Sequence, residues 1–290
     1  GLGGELGGAG AVAAASAGRV LVDRGQGVQG LDGDELGPVL ATGAGTLSGP
    51  YVPAADAVLT AAGDRLRASH PQAVFGSLVV EKSPAVGAGY RVQVRDLTGV
   101  APTVQVQLSA SEEEFAPAKM WGDWVGATFT SPAAGDSTKV VELRDWRTGA
   151  SRTSTGELLA LGDGFAVVVR PGADATSLVT VDLTSGGETI LSADTASGAL
   201  AVDAGRVAFV DGTDLVVRAV NGAGTSAPRL LGALTSGVAS ATGNWTIALD
   251  VTKPVVAGTL TIRSADGTVV RSLTAAASAS GSVRGLAWDG

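Results

Sequence analysis

The stretch "FGSLVVEKSPAVGAGYRVQVRDLTG", residues 75–99, decides how the chain is read. An apolar residue and a Gly open a short Val-rich run. A Gly/Pro loop follows, then a second, alternating run that closes on Asp96 and reaches Gly99. Period-two alternation bounded by Gly, Pro and Asp describes paired strands, not a helix. The same grammar returns in "WGDWVGATFTSPAAGDSTKVVELRDWRTG" (121–149), "LGDGFAVVVRPGADATSLVTVDLTSG" (161–186) and "VDAGRVAFVDGTDLVVRAVNG" (202–222). Gly76, Gly122 and Gly162 recur about every 40–46 residues, the range of a four-stranded propeller blade.

Working outward, "TVQVQLS" (103–109) and "ETILSA" (188–193) supply further strands. Residues 17–33 and 47–68 read as two eroded copies, giving about six blades. One blade cannot bury both of its faces, so neighbours must cover them and a closed ring protects the edges. The expected fold is all-β: a β-propeller of about six four-stranded blades over residues 1–234, then an incomplete Ig-like β-sandwich over 235–290. Only Leu6–Ala17 and Ala110–Lys119 are helix-permissive. The second contains Glu112, Glu113 and Glu114, read as a solvated loop between blades, and ends near Pro117.

Composition narrows the class. The 290 residues are 45% hydrophobic, enough for a substantial core, and carry a net charge of −8. No apolar run approaches the roughly 20 residues that cross a bilayer, so membrane insertion is not expected. No signal peptide opens the chain, as in a mature or trimmed secreted protein. The lysines are Lys82, Lys119, Lys139 and Lys253, scattered on an acidic chain, which argues against nucleic acid as a partner. Arg outnumbers Lys, and Ala, Gly and Val are abundant, the bias of a GC-rich bacterial genome. With no Cys, disulfides, thiol nucleophiles and Cys-ligated zinc are excluded.

The tail has a different character. Thr259–Arg263 and Thr268–Leu273 flank Ser264-Ala265-Asp266-Gly267, a hairpin signature. Trp245, Leu249-Asp250, Lys253-Pro254, Leu260-Thr261-Ile262, Asp266-Gly267, Val269-Val270-Arg271 and the closing Trp288-Asp289-Gly290 follow in order. This stretch resembles the Ig-like domain first named from flagellar hook-capping proteins. The resemblance implies a module like those of many secreted actinobacterial proteins, often behind a propeller, and not a flagellar role. In that family further strands follow the Trp-Asp-Gly turn. The expectation is that this chain is one segment of a longer polypeptide, the alternative being strands added by a partner. In the final stretch, alternation places Arg284, Leu286 and Trp288 on one strand face, with Trp288 near Trp245 and the Leu260/Ile262 strand.

Sites of chemistry are few. A Ser-His-Asp set needs a histidine base, and the one His is His70, before Pro71 in a loop between repeats. Asp123, Glu142, Asp145 and Asp163 could form a glycosidase pair. However, Asp96, Asp145 and Asp182 recur at one repeat position, which fits a turn Asp bonding local N–H groups. "LDGDEL" (31–36) has hard oxygen ligands but lacks a full calcium loop, and reads as a polar hairpin turn. "GLGGELGGAG" (1–10) follows no strand and leads to no Lys-Ser/Thr, so it reads as a linker or Gly-rich strand. No cofactor or metal is expected.

The aromatics remain. Trp121 falls in the slot of Phe75 and Leu161, Trp124 in that of Leu78, and Trp146 in that of Leu97 and Leu183. These are blade-packing slots, yet Trp rings also stack on sugars and anchor interfaces. Trp121, Trp124, Trp146 and Tyr90 are therefore the candidate ligand-binding residues, and packing is the alternative. The functional expectation is a non-enzymatic, secreted, lectin-like module whose loops recognise a cell-surface glycan or protein. The alternatives are a structural subunit of a secreted multi-protein assembly, such as an actinobacterial toxin particle, and a carbohydrate-active enzyme.

Overall fold

The computed structural model describes residues 11–16, 19–23, 28–32, 35–41, 51–53, 57–60, 64–83, 89–109, 113–130, 138–172, 176–193, 200–203, 205–211, 213–236, 245–279 and 281–288. Every regular element among them is a β-strand, and the described residues contain no helix. The all-β reading holds.

Six sheets follow one another as far as Ala219, each with its strands in chain order. β1 (Ala11–Ser16), β2 (Arg19–Asp23), β3 (Val28–Asp32) and β4 (Glu35–Ala41) form the first. The second is β5 (Tyr51–Pro53), β6 (Ala57–Thr60) and β7 (Arg65–Arg67). The third is β8 (Pro71–Phe75), β9 (Leu78–Lys82), β10 (Tyr90–Asp96) and β11 (Val104–Ser109). The fourth is β12 (Glu113–Trp121), β13 (Trp124–Thr130), β14 (Lys139–Asp145) and β15 (Ser151–Thr155). The fifth is β16 (Glu157–Gly162), β17 (Phe165–Pro171), β18 (Thr176–Asp182) and β19 (Glu188–Ser192). The sixth is β20 (Leu200–Asp203), β21 (Arg206–Asp211) and β22 (Asp214–Ala219).

The chain divides into two compact units, one of residues 53–58 and 66–227, the other of 1–52, 59–65 and 228–290. In the first unit the leading strands lie side by side, β8 against β12, β12 against β16 and β16 against β20. Alternation buries both faces of the fifth sheet. Ala166 and Val168 join Val141, Leu143, Leu158, Leu161, Val181 and Leu183 in one core layer. Phe165 and Val167 join Leu178, Leu191, Val207 and Phe209 in the next. Strands buried on both faces read as continuous apolar runs, and "FAVVV" is one.

Both helix-permissive stretches are corrected. Ala11–Ser16 is strand β1 and Glu113–Trp121 is strand β12, so Glu113 and Glu114 are ladder residues opposite Thr130 and Phe129. Residues 1–10 and Glu112 lie outside the described residues. Ala, Glu and Lys favour helix intrinsically, but pairing and burial override so weak a preference. Pro117 is accommodated because the β12–β13 register shifts between Ala116 and Lys119, and a bulge tolerates a residue with no N–H to donate.

In the second unit, β23 (Leu230–Ser236), β24 (Trp245–Val251) and β27 (Ser282–Trp288) form one sheet, and β25 (Gly258–Arg263) pairs with β26 (Val269–Ala275). β23 spans position 234 and is hydrogen-bonded to β24. The hairpin at 264–267 forms as read: Gly267, at φ 87, donates to the Ser264 carbonyl at 2.9 Å. Ala275, Val283 and Leu286 are the buried centre, packed by Ile247, Leu249, Val255, Leu260 and Leu273. The alternation expected for the last strand is corrected. Register shifts between Ile247 and Leu249, and Gly285 adopts φ 76. That bulge turns Val283 and Leu286 to the same core, although three residues apart, and leaves Arg284 exposed. Arg284 Nη2 instead reaches Asp250 Oδ1 at 2.9 Å. Trp288 is half-buried and pairs in register with Trp245, and Asp289-Gly290 lie outside the described residues.

Candidate functional site

The third to fifth sheets repeat one construction at one end. The Oδ1 of Asp96 accepts the N–H of Thr98 at 3.0 Å. Asp145 Oδ1 accepts from Arg147 at 2.8 Å and Thr148 at 2.9 Å, and Asp182 Oδ1 from Thr184 at 2.8 Å and Ser185 at 2.6 Å. Each turn ends on a Gly with positive φ: Gly99 (72), Gly149 (77) and Gly186 (78). A short acceptor side chain followed by a left-handed Gly closes a tight turn at little steric cost. The Ser185 N–H, outweighing the effect of burial, holds the Asp182 carboxyl below the usual range. For Asp96 burial acts upward, but its Thr98, Ser77 and Ala101 donors bring it below that range.

The residue after each turn Asp is tied to the preceding hairpin. Leu97 N–H donates to Ser77 O at 2.7 Å, Trp146 to Asp123 at 2.9 Å and Leu183 to Gly164 at 2.9 Å; in the sixth sheet Val220, which follows Ala219 and not an Asp, donates to Gly205 at 2.9 Å. Trp146 thus stands where Leu97 and Leu183 stand. The slot given to Trp121 is corrected. The hairpin pairs are Phe75 with Leu78, Trp121 with Trp124, and Gly162 with Phe165. Gly162, not Leu161, is the counterpart of Trp121. A Cβ on Gly162 would lie 2.5 Å from the Phe165 ring, which fills that space.

Consequently Trp121, Trp124 and Trp146 meet at this end of the fourth sheet. All three are half-buried. Trp121 and Trp124 pack against the core layer that holds Val141 and Leu183, and Trp121 lies 5.3 Å from the Phe75 ring of the sheet before. The Trp146 Nε1–H donates to Gly122 O at 3.3 Å. Arg147 stacks its guanidinium 4.6 Å from the Trp146 ring and donates from Nε to Asp123 Oδ1 at 2.8 Å. Arg147 is 60% exposed, so its remaining donors face solvent in a fixed orientation. The rim continues sideways, with Arg152 donating to Thr184 O and Gly224 N–H to Asp163 O.

Tyr90 is elsewhere. It begins β10, at the end of the sheet opposite to Asp96, and is 7% exposed. Its hydroxyl donates to Gln72 Oε1 at 2.7 Å, an oxygen that also accepts the Ala118 N–H at 2.9 Å. Its ring meets Phe129 edge-on at 5.4 Å. Tyr90 links β8, β10 and β12 from inside.

Sequence reading missed Glu81, buried to 2% in β9. Its Oε1 accepts from Arg95 Nη2 at 2.8 Å and Ser69 N–H at 2.9 Å, and its Oε2 from Gln93 at 2.8 Å and Arg95 Nε at 3.1 Å. Burial pushes this carboxyl up, but the bonds from Arg95, Ser69 and Gln93 outweigh it and leave it below the usual range. The burial of Lys119 was also missed. Burial lowers its ammonium below the ordinary lysine value, against the opposing pull of Glu157 on β16.

The other candidates are dispersed. His70 is exposed in a loop at φ 52. Asp123 and Asp145 are engaged as described, Glu142 is half-buried opposite Ala127, and Asp163 is 7% exposed in the β16–β17 turn. In "LDGDEL", Asp32 pairs with Glu35 across a hairpin, and Gly33-Asp34 lie outside the described residues. Among the described residues no cluster of three or more His, Asp or Glu could hold a metal. No protein-family model matches the chain, and no curated protein is detectably similar to it.

Proposed function

We propose that this chain is a non-enzymatic extracellular binding module, a β-propeller of about six blades with an Ig-like sandwich behind it, which recognises a cell-surface glycan as part of a larger secreted protein. Regular spacing of the leading strands supports the propeller: Pro71, Glu113, Glu157 and Leu200 start them, 42, 44 and 43 residues apart. Their side-by-side order adds to that. The β24–β27 and β25–β26 pairs around one small core support the sandwich.

One observation carries the functional reading. At a turn where sister sheets have Leu97 and Leu183, the fourth sheet has Trp146 under the exposed Arg147, with Trp121 and Trp124 beside it. Flat aromatic surface next to oriented N–H donors is the combination that holds a pyranose, whose axial C–H groups stack and whose hydroxyls accept. The nearby carboxylates are bound up in turns and in the Arg147 pair, which favours recognition over acid–base chemistry. Tyr90 is not part of this surface. A glycan array probed with the wild-type chain and with Trp146→Ala tests the proposal. Binding to a defined glycan class, lost in the variant, is expected. Binding unchanged in the variant, or cleavage of arrayed glycosides, would overturn it.

A further inference from the structure

The sixth sheet differs from the three before it. Those have a fourth strand outside their third, namely β11, β15 and β19. Among the described residues, nothing pairs with the outer edge of β22. Counting back from the turn, Leu215 and Val217 match Val92 and Val94, Val141 and Leu143, and Leu178 and Thr180. Those six are at most 3% exposed, whereas Leu215 is 74% and Val217 59% exposed.

Natural edges are usually blunted by Lys, Pro or a bulge. β22 reads "DLVVRA", and its pairing to β21 runs without a register shift from Arg206–Ala219 to Asp211–Asp214. The other outer strands are protected. β11 and β19 sit in shifted registers, and β15 is "SRTST". β22 is also self-complementary. Antiparallel pairing centred on Val216 puts Asp214 opposite Arg218 of a second copy, twice by symmetry. Leu215 then faces Val217 on the other side of the sheet. Opposite charges and apolar pairs directly across strands favour that register, and a one-residue slip loses the two charge pairs.

We infer that two copies of this chain associate through β22, edge to edge, around a two-fold axis at Val216. Such an isologous contact closes on itself and stops at a dimer. A single strand pair is smaller than a standard interface, so the dimer should form at micromolar concentrations or above.

Sedimentation velocity over a concentration series tests this. Asp214→Arg alone and Arg218→Asp alone each set like charges opposite each other and should weaken dimerisation about tenfold. The two single variants mixed should form a heterodimer, since each strand then meets opposite charge, and the double variant should dimerise like the wild type. Leu215→Lys should give a monomer with an unchanged thermal transition. A wild type that stays monomeric at high micromolar concentration would overturn the inference, as another part of the chain or a different partner would then cover β22. So would a dimer indifferent to the charge exchanges.

Discussion

Trp146 holds, after Asp145, the place that Leu183 holds after Asp182: the backbone N–H of each donates to the second residue of the adjoining hairpin turn, Asp123 or Gly164, at 2.9 Å. Sister sheets therefore demonstrate that Leu fits this slot. Trp146→Leu should cost no more than about 3 kcal/mol in denaturant unfolding, because Leu fits the slot and the ring it replaces is only half-buried. It should still abolish glycan binding by removing the ring under Arg147. Loss of stability and binding in parallel would return Trp146 to a packing role.

The turn aspartates act through local backbone bonds. Asp96→Ala, Asp145→Ala and Asp182→Ala should each lower stability by about 0.5–2 kcal/mol, the cost of leaving such donors uncapped. Urea titration measures it. Asp182→Asn, which keeps the acceptor oxygen, should recover part of the loss.

Glu81 gives the fold an acid limb. Its folded carboxyl titrates below the ordinary glutamate value, so its contribution is complete at neutral pH and above the unfolded pKa. It is lost as pH falls below about 4 through the depressed folded value. Glu81→Ala strands the Arg95 guanidinium and should cost about 3–5 kcal/mol at pH 7. Glu81→Gln should be destabilised at pH 7 and converge on the wild type as the medium is acidified. Parallel pH profiles for the two proteins would refute this role.

Gly156 joins the fourth sheet to the fifth as a single residue at φ 117. A Cβ there would lie 2.4 Å from the Val169 carbonyl oxygen and 2.8 Å from Val168 Cγ1. Gly156→Ala should therefore cost at least about 2 kcal/mol, from backbone strain and overpacking together. Thermal unfolding with the Trp signal, three of whose five sources lie in the fourth sheet or its turns, would register it.

What the sequence revealed followed the range of the interactions. The turns at Asp96, Asp145 and Asp182 were legible because donor and acceptor are two or three residues apart. The repeats were legible through period-two alternation. Where longer-range geometry decides, reading failed. Gly162 looked like the partner of Gly76 and Gly122, but its hairpin turns one residue later, at Asp163-Gly164. β12 read as a helix-permissive stretch with a solvated loop because its partner strand is invisible in a local window. Alternation over 284–288 failed at a bulge set by Gly285. Glu81 stood alone in "VVEK" until register placed Gln93 opposite it, with Arg95 two residues on. The three Trp residues, close in sequence, lie at one end of the fourth sheet, whereas Tyr90 stands at the opposite end of the third.

The most direct measurement is an ¹⁵N correlation spectrum of the indole N–H groups during titration with the best-bound glycan of the array. The chain has five tryptophans, so five indole signals report separately on Trp121, Trp124, Trp146, Trp245 and Trp288. The account predicts saturable shifts at Trp146 and its neighbours Trp121 and Trp124, with Trp245 and Trp288 unmoved. Shifts confined to Trp245 and Trp288, or no saturable shift with any arrayed glycan, would contradict it.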